Sequence, residues 1–116
     1  MEQLIAHLIG DFWLQNDWMA MNKKKSFMVA LYHSFLYTLP FLFITQSIPA
    51  LLVIWLTHAV IDGTEVVKRL NQVKNGYFQT DDGYKPNRPD HIRHWLLIFQ
   101  DNTLHLLINF LAIKFL

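Results

Sequence analysis

The sequence predicts an all-α fold: one domain over residues 1–116, built as a four-helix transmembrane bundle with a polar cytoplasmic loop between helices 3 and 4. Three observations lead there. First, 53% of the residues are hydrophobic and only 16% charged, against about 25% charged in ordinary soluble domains. Second, the charges are gathered at Lys23-Lys24-Lys25 and between Glu65 and Arg93, so a mean hydropathy of only +0.19 conceals long apolar stretches. Third, an acid and an imidazole recur four residues apart inside three of those stretches: His7/Asp11, His58/Asp62 and Asp101/His105. That spacing puts both groups on one face of a helix, one turn apart.

Helix 1 is expected over about 4–21. His7, Asp11 and Gln15 share a face, and Trp13 and Trp18 suit a membrane interface. Asn22 to Ser26 forms a short basic loop, with Ser26 placed to cap helix 2. Helix 2 runs over about 27–45, long enough to cross roughly 30 Å of hydrocarbon with modest adjustment of the bilayer. Pro40 should kink it, with Thr38 helping to satisfy the freed backbone. Gln46 to Pro49 is a tight turn, and Pro49 fits the first helical position of helix 3. Helix 3 covers about 50–67, with Gly63 allowing close helix approach. The polar connection, about 68–93, carries Lys68, Arg69, Lys74, Lys85, Arg88 and Arg93 among turn formers such as Asn75-Gly76 and Asp82-Gly83. Its length exceeds ordinary loops, so it is expected to be partly ordered or functional. Helix 4 covers about 94–116, with Lys114 free to snorkel.

Both basic loops face the cytoplasm by the positive-inside rule, which places both termini on the far side of a bacterial inner membrane. Helices 1 and 3 then run toward the cytoplasm and helix 4 away from it. A common site requires the His/Asp order to invert in helix 4, and it does. Asp11, Asp62 and Asp101 fall at one depth, roughly 8–11 Å of helix rise below the surface, with the partner histidines about one turn deeper. His33 enters from helix 2 at the depth of the acids.

An ionised carboxylate in lipid costs several kcal/mol, so three of them must be paired, neutral, hydrated or metal-bound. Imidazole and carboxylate are ligands for zinc, manganese or iron, and a divalent cation offsets the repulsion of clustered acids. The candidate ligands are His7, Asp11, His33, His58, Asp62, Asp101 and His105. This is too many for one tetrahedral zinc. Two metals are one solution; the other is a single metal whose histidines are oriented by nearby acids. Asp11, Asp62 and Asp101 are also the candidate general bases, and Gln15, Gln100 and Asn102 the supporting hydrogen-bonders. A purely structural polar network and a proton or ion path are the competing readings. Acids beside every deep histidine disfavour haem. His91 and His94 read as loop and interface residues, Asp17 and Glu65 as helix-end charges, and Asp81-Asp82 as a solvated turn. With no cysteine, disulfides and thiolate sites are excluded. Met1-Glu2-Gln3 lacks a basic leader region, so no cleaved signal peptide is expected.

The same residues resemble a known family. His7-Leu8-Ile9-Gly10-Asp11-Phe12 with Gln15 and Trp18, Ala30-Leu31-Tyr32-His33, His58-Ala59-Val60-Ile61-Asp62 and Asp101-Asn102-Thr103-Leu104-His105 are similar to the motifs of the DUF3307 family of small bacterial and phage membrane proteins. Asn102 stands where that family's last motif is expected to carry Gln, which keeps both candidate ligands. The resemblance implies a membrane location and no particular reaction. Two functional expectations follow. One is a membrane-embedded, metal-dependent hydrolase acting on a lipid or lipid-linked substrate. The other is a non-enzymatic phage or bacterial accessory protein whose polar face is structural or an ion path. In that second case the basic loop binds a cytoplasmic protein. Membrane lipids and a homo-oligomeric copy are expected partners; nucleic acid is not.

Overall fold

The computed structural model describes residues 1–116 and is all-α, with six α-helices and no strand. Helix α1 spans Glu2–Leu8 and continues without a break into a π-helical turn, Ile9–Trp13. The predicted single helix over 4–21 therefore does not form. The chain breaks after Leu14 and restarts as α2, Asp17–Asn22, because Asn16 takes extended geometry and its side chain accepts from the Met19 N–H at 2.8 Å.

Helix α3, Phe27–Thr38, tightens into a 3-10 turn, Leu39–Phe43. Pro40 supplies no N–H, and the Leu36 carbonyl is taken up by the Leu39 N–H in the tighter turn. Thr38 bonds instead to the Ser34 carbonyl, 2.7 Å away. Ser26 occupies the cap position of α3 but makes no capping bond; Ser47 does cap α4, accepting from the Ala50 N–H.

Helix α4, Ile48–Gly63, is shorter than the predicted 50–67 at its far end. Thr64 turns extended, and the chain swings 71° into α5, Val66–Asn75. Lys24 holds this corner, donating to the carbonyls of Asp62 and Thr64 at 3.0 and 2.9 Å, which are orphaned by the helix end. Much of the expected 68–93 loop is thus helix. Gly76, at φ 62°, ends α5 in the left-handed conformation. Asn71, Gln72 and Asn75 then donate to the carbonyls of Asp82, Thr80 and Gly83, pinning the remaining loop against α5. Helix α6, Asp90–Phe115, begins four residues earlier than expected and is the longest element.

Only α6 is long and apolar enough to cross a membrane, or two segments if α4 and α5 are counted as one bent span. The structure therefore does not supply the four full spans anticipated; α3 with its 3-10 extension and α4 are shorter.

Helix α4 is the axis, packed between α3 and α6, with α1 closing against α6 and the end of α3. Its inward stripe, Ala50, Ile54, His58 and Asp62, repeats every four residues and changes character along its length. At one end Ala50 and Ile54 join Ala6, Tyr37, Phe41 and Ala112 in an apolar cluster. At the other, the interior is polar. Of 25 buried residues 11 are polar or charged, while many large apolar side chains face outward, Phe43 at 96% exposure and Trp13 at 82% among them.

Candidate metal centre

Four ligand-type atoms from three elements meet at the polar end of the core. Asp11 comes from the π turn, His33 from α3, and His58 and Asp62 from one face of α4. The π turn brings Asp11 in: the widened helix redirects its side chain toward α3 and α4, a known use of such bulges. Gly10 lets this turn lie against α3, since a Cβ there would meet a Tyr37 ring carbon at 2.5 Å and the Tyr37 carbonyl at 2.9 Å.

His33 Nε2 lies 3.2 Å from Asp11 Oδ1, 3.3 Å from Asp62 Oδ2 and 3.0 Å from His58 Nε2. His58 Nε2 lies 3.3 Å from Asp11 Oδ1 and 3.2 Å from Asp62 Oδ2. All four atoms lie within 4.8 Å of one another. Five of the six separations are thus 3.0–3.3 Å, close to the roughly 3.3 Å between donors that tetrahedral ligation with bonds of about 2.0 Å requires. The carboxylate oxygens only accept, and each neutral ring offers at most one proton at Nε2, which cannot point at three neighbours at once. One central divalent cation would satisfy all four and, with two carboxylates and two neutral imidazoles, would leave the centre uncharged. His33 Nδ1 is buried without a partner, so contacts at Nε2 alone orient that ring.

The proton bookkeeping of the neighbours fits the same assignment. With His58 Nε2 offering its lone pair, Nδ1 carries the proton and donates to His105 Nδ1 at 3.1 Å. His105 Nε2–H then donates to Asp62 Oδ1 at 3.0 Å, with Asp101 Oδ2 at 3.4 Å. The chain of bonds returns to a member of the group, so that Asp62 orients His105 and His105 in turn orients His58. Asp62, Asp101 and His105 form a second, three-member group of donors. An ion there would claim the His105 Nε2 lone pair and put N–H groups on both rings, facing each other across 3.1 Å. With neutral rings, occupancy of one group excludes the other.

His7 stands outside the group of four. Asn102 donates to the Ile98 carbonyl at 2.8 Å, which fixes its amide so that Oδ1 accepts from His7 Nε2 at 2.6 Å. His7 Nδ1 therefore accepts from the Tyr37 hydroxyl at 2.6 Å, and that hydroxyl accepts from Asn109 at 2.7 Å. Both ring nitrogens are committed, leaving no lone pair for a metal. The His7/Asp11 pair is separated by 3.7 Å. Gln15 reaches the centre through Lys23, whose ammonium donates to Gln15 Oε1 at 2.9 Å and Asp62 Oδ2 at 2.8 Å. Gln100 faces away, bonding Asn71 at 3.0 Å and Tyr84 at 3.4 Å. It docks α5 and its loop onto α6.

Sequence reading overlooked Lys23, Tyr37 and Asn109. A signal existed for two of them: Tyr37 lies four residues from His33, and Asn109 four from His105, extending the same polar ladders. Lys23 had no local signal. Asp11, Asp62 and Asp101 line a cleft of about 420 Å³ whose rim carries Lys23, Lys24 and Lys68. Partial burial works against the Lys68 ammonium, but Asp81 and Glu65 at 3.2 and 3.4 Å outweigh it and hold its pKa above the ordinary lysine value.

A family model described as a protein of unknown function, DUF3307, matches residues 1–115. The chain belongs to the DUF3307 family. Neither a curated protein nor a solved structure matches it. In this DUF3307 chain the family assignment carries no reaction, so function is argued from the His/Asp group alone.

Proposed function

We propose that this DUF3307 protein is a membrane-embedded binder of one divalent transition-metal ion, held by Asp11, His33, His58 and Asp62 near the cytoplasmic face. The close convergence of these four buried donors carries the reading. Two nitrogens and two oxygens at these separations suit zinc ahead of manganese or iron, which favour more ligands.

The inverted distribution of residues supports the membrane. Polar groups fill nearly half of the buried positions while Phe43, Trp13, Met28 and Ile48 are exposed at 96%, 82%, 72% and 70%. In water that surface would be an aggregation liability; against acyl chains it is solvated. Helix α6 provides one span, and the bent α4–α5 pair provides a second whose outer arm, α5, lies along the headgroups. The basic segments at Lys23-Lys24-Lys25 and α5 belong on the cytoplasmic side.

Elemental analysis of the detergent-purified protein tests the reading. About one zinc per chain is expected, lost on H33Q/H58Q double substitution with the helical content retained. A metal-free protein that does not take up zinc, manganese or iron would refute it.

A second reading has one observation in its favour. Asp11 and Asp62, two of the four donors, line the open cleft, which would admit a substrate if it faces the headgroup layer. Four protein ligands close a zinc site, so hydrolysis requires Asp11, the more exposed carboxylate of the two, to release a position to water. Zinc-loaded protein in mixed micelles with a lipid-linked phosphate ester should then release product, and H33Q should not. Equal release from both proteins would exclude this chemistry.

A further inference from the structure

A second concave surface lies between α5 and α6 and shares only Val67 with the metal cleft. Here α5 and α6 diverge to leave a groove of about 610 Å³. Its apolar lining is Val67 and Leu70 from α5, and Leu96, Phe99, Leu104 and Leu107 from α6. Leu70, Phe99 and Leu107 are exposed at 54%, 62% and 53%, so nothing in the fold covers it. The α6 wall from Leu96 to Leu107 extends roughly 16 Å along the helix axis.

The charges in the groove are one-sided. Lys74 and Arg88 line it, and no acidic residue does. Two neighbouring cations are matched, Lys68 with Glu65 and Asp81, and Arg93 with Asp82 and Asp90; Arg69 and Lys85 are not, but neither lines the groove. Lys74 and Arg88 have no carboxylate within ion-pair distance. The Arg88 guanidinium lies 5.1 Å from the centre of the Tyr84 ring, and Tyr84 is itself buried and tied to α6 through Gln100. A cation is thus held in place by the fold at the mouth of an apolar channel.

We propose that this groove binds one anionic glycerophospholipid, an acyl chain lying along α6 and the phosphate between Lys74 and Arg88. The proposal rests on the membrane reading above and is independent of the metal. Two unmatched cations select a headgroup with net negative charge over a zwitterionic one of the same chain length; an apolar segment of another protein would leave both cations uncompensated.

The test is native mass spectrometry of the full-length, metal-loaded protein in detergent, offered equimolar phosphatidylglycerol and phosphatidylcholine of matched chains. One phosphatidylglycerol retained per chain is expected, with its preference over phosphatidylcholine reduced roughly thirty-fold in K74E/R88E, from the surface contribution of two basic residues. T103W, which fills the channel and keeps both cations, should lose both lipids. Metal content is measured in the same samples and should remain unchanged in all variants. Equal retention of the two lipids by the wild type, a preference that survives K74E/R88E, or a dimer whose formation excludes lipid would each overturn the proposal. Failure of the wild-type chain to float with vesicles of either lipid would instead overturn the membrane reading itself.

Discussion

Removing the Lys23 ammonium should have opposite effects on the two forms of this protein. Its Nζ lies 2.8 Å from Asp62 Oδ2, one of the four donors. With a metal–oxygen bond of about 2.0 Å, ammonium and ion stand at most about 4.8 Å apart. Coulomb repulsion between charges of one and two at that distance is about 7 kcal/mol at an effective dielectric of 20 and about 2 kcal/mol in bulk water. The lysine side chain is 18% exposed and can swing into the cleft when the ion enters, which puts the net effect near the lower figure. K23M should therefore tighten zinc binding at least about tenfold. In the metal-free protein the same lysine is the only non-histidine cation on Asp62, and its loss leaves a buried carboxylate short of a partner. Breaking a fully buried pair costs about 3–5 kcal/mol; partial exposure scales this to about 1–2 kcal/mol. The assays are competition against a chromophoric zinc chelator in micelles, and thermal unfolding with and without zinc. Weaker zinc binding by K23M, with an unchanged metal-free midpoint, would refute the claim that lysine and metal compete for one carboxylate.

Other expectations follow from the same hydrogen bonds. His7 has no free lone pair, so H7Q should keep its zinc, with affinity falling by no more than about 10–100-fold through the lost orientation of neighbours, whereas H33Q should lose it altogether; zinc content of the purified variants separates the two. Saturation should stop at one ion per chain, because His58 and His105 cannot both turn N–H groups toward each other across 3.1 Å, and isothermal titration giving two would contradict that assignment. Y37F strips the hydroxyl shared by His7 and Asn109, leaving buried groups unpaired, and should cost about 1–3 kcal/mol of stability without changing zinc content. G10V should be worse tolerated than either, since its side chain would collide with the Tyr37 backbone and push Asp11 from the centre; loss of both zinc and the thermal transition midpoint is the readout.

What could be read without coordinates was periodic. Spacings of four placed His58 with Asp62 and Asp101 with His105, because a helix makes such neighbours whatever it packs against. Helicity, the sites of the turns and the gathering of acids and imidazoles followed from pattern and composition. The departures came where local preference was overruled. Leu4 to Met21 has the composition of one helix, yet Asn16 caps a new one and the preceding turn widens to deliver Asp11. Lys68 to Asn75 looked like the start of a loop, but its polar residues bond to the following loop and to Gln100, and it belongs to a helix lying at 71° to α4.

The choice among seven candidate ligands belonged to the folded state. Periodicity says that two groups share a face; it does not say which ring nitrogen is already taken. His7 and His58 look equivalent in sequence, each followed by Asp four residues on. Packing gives His7 a hydroxyl and an amide oxygen, and gives His58 two carboxylates and a second imidazole. Contacts between residues 25 to 95 positions apart in the chain made that distinction, and such contacts exist only after the helices have docked.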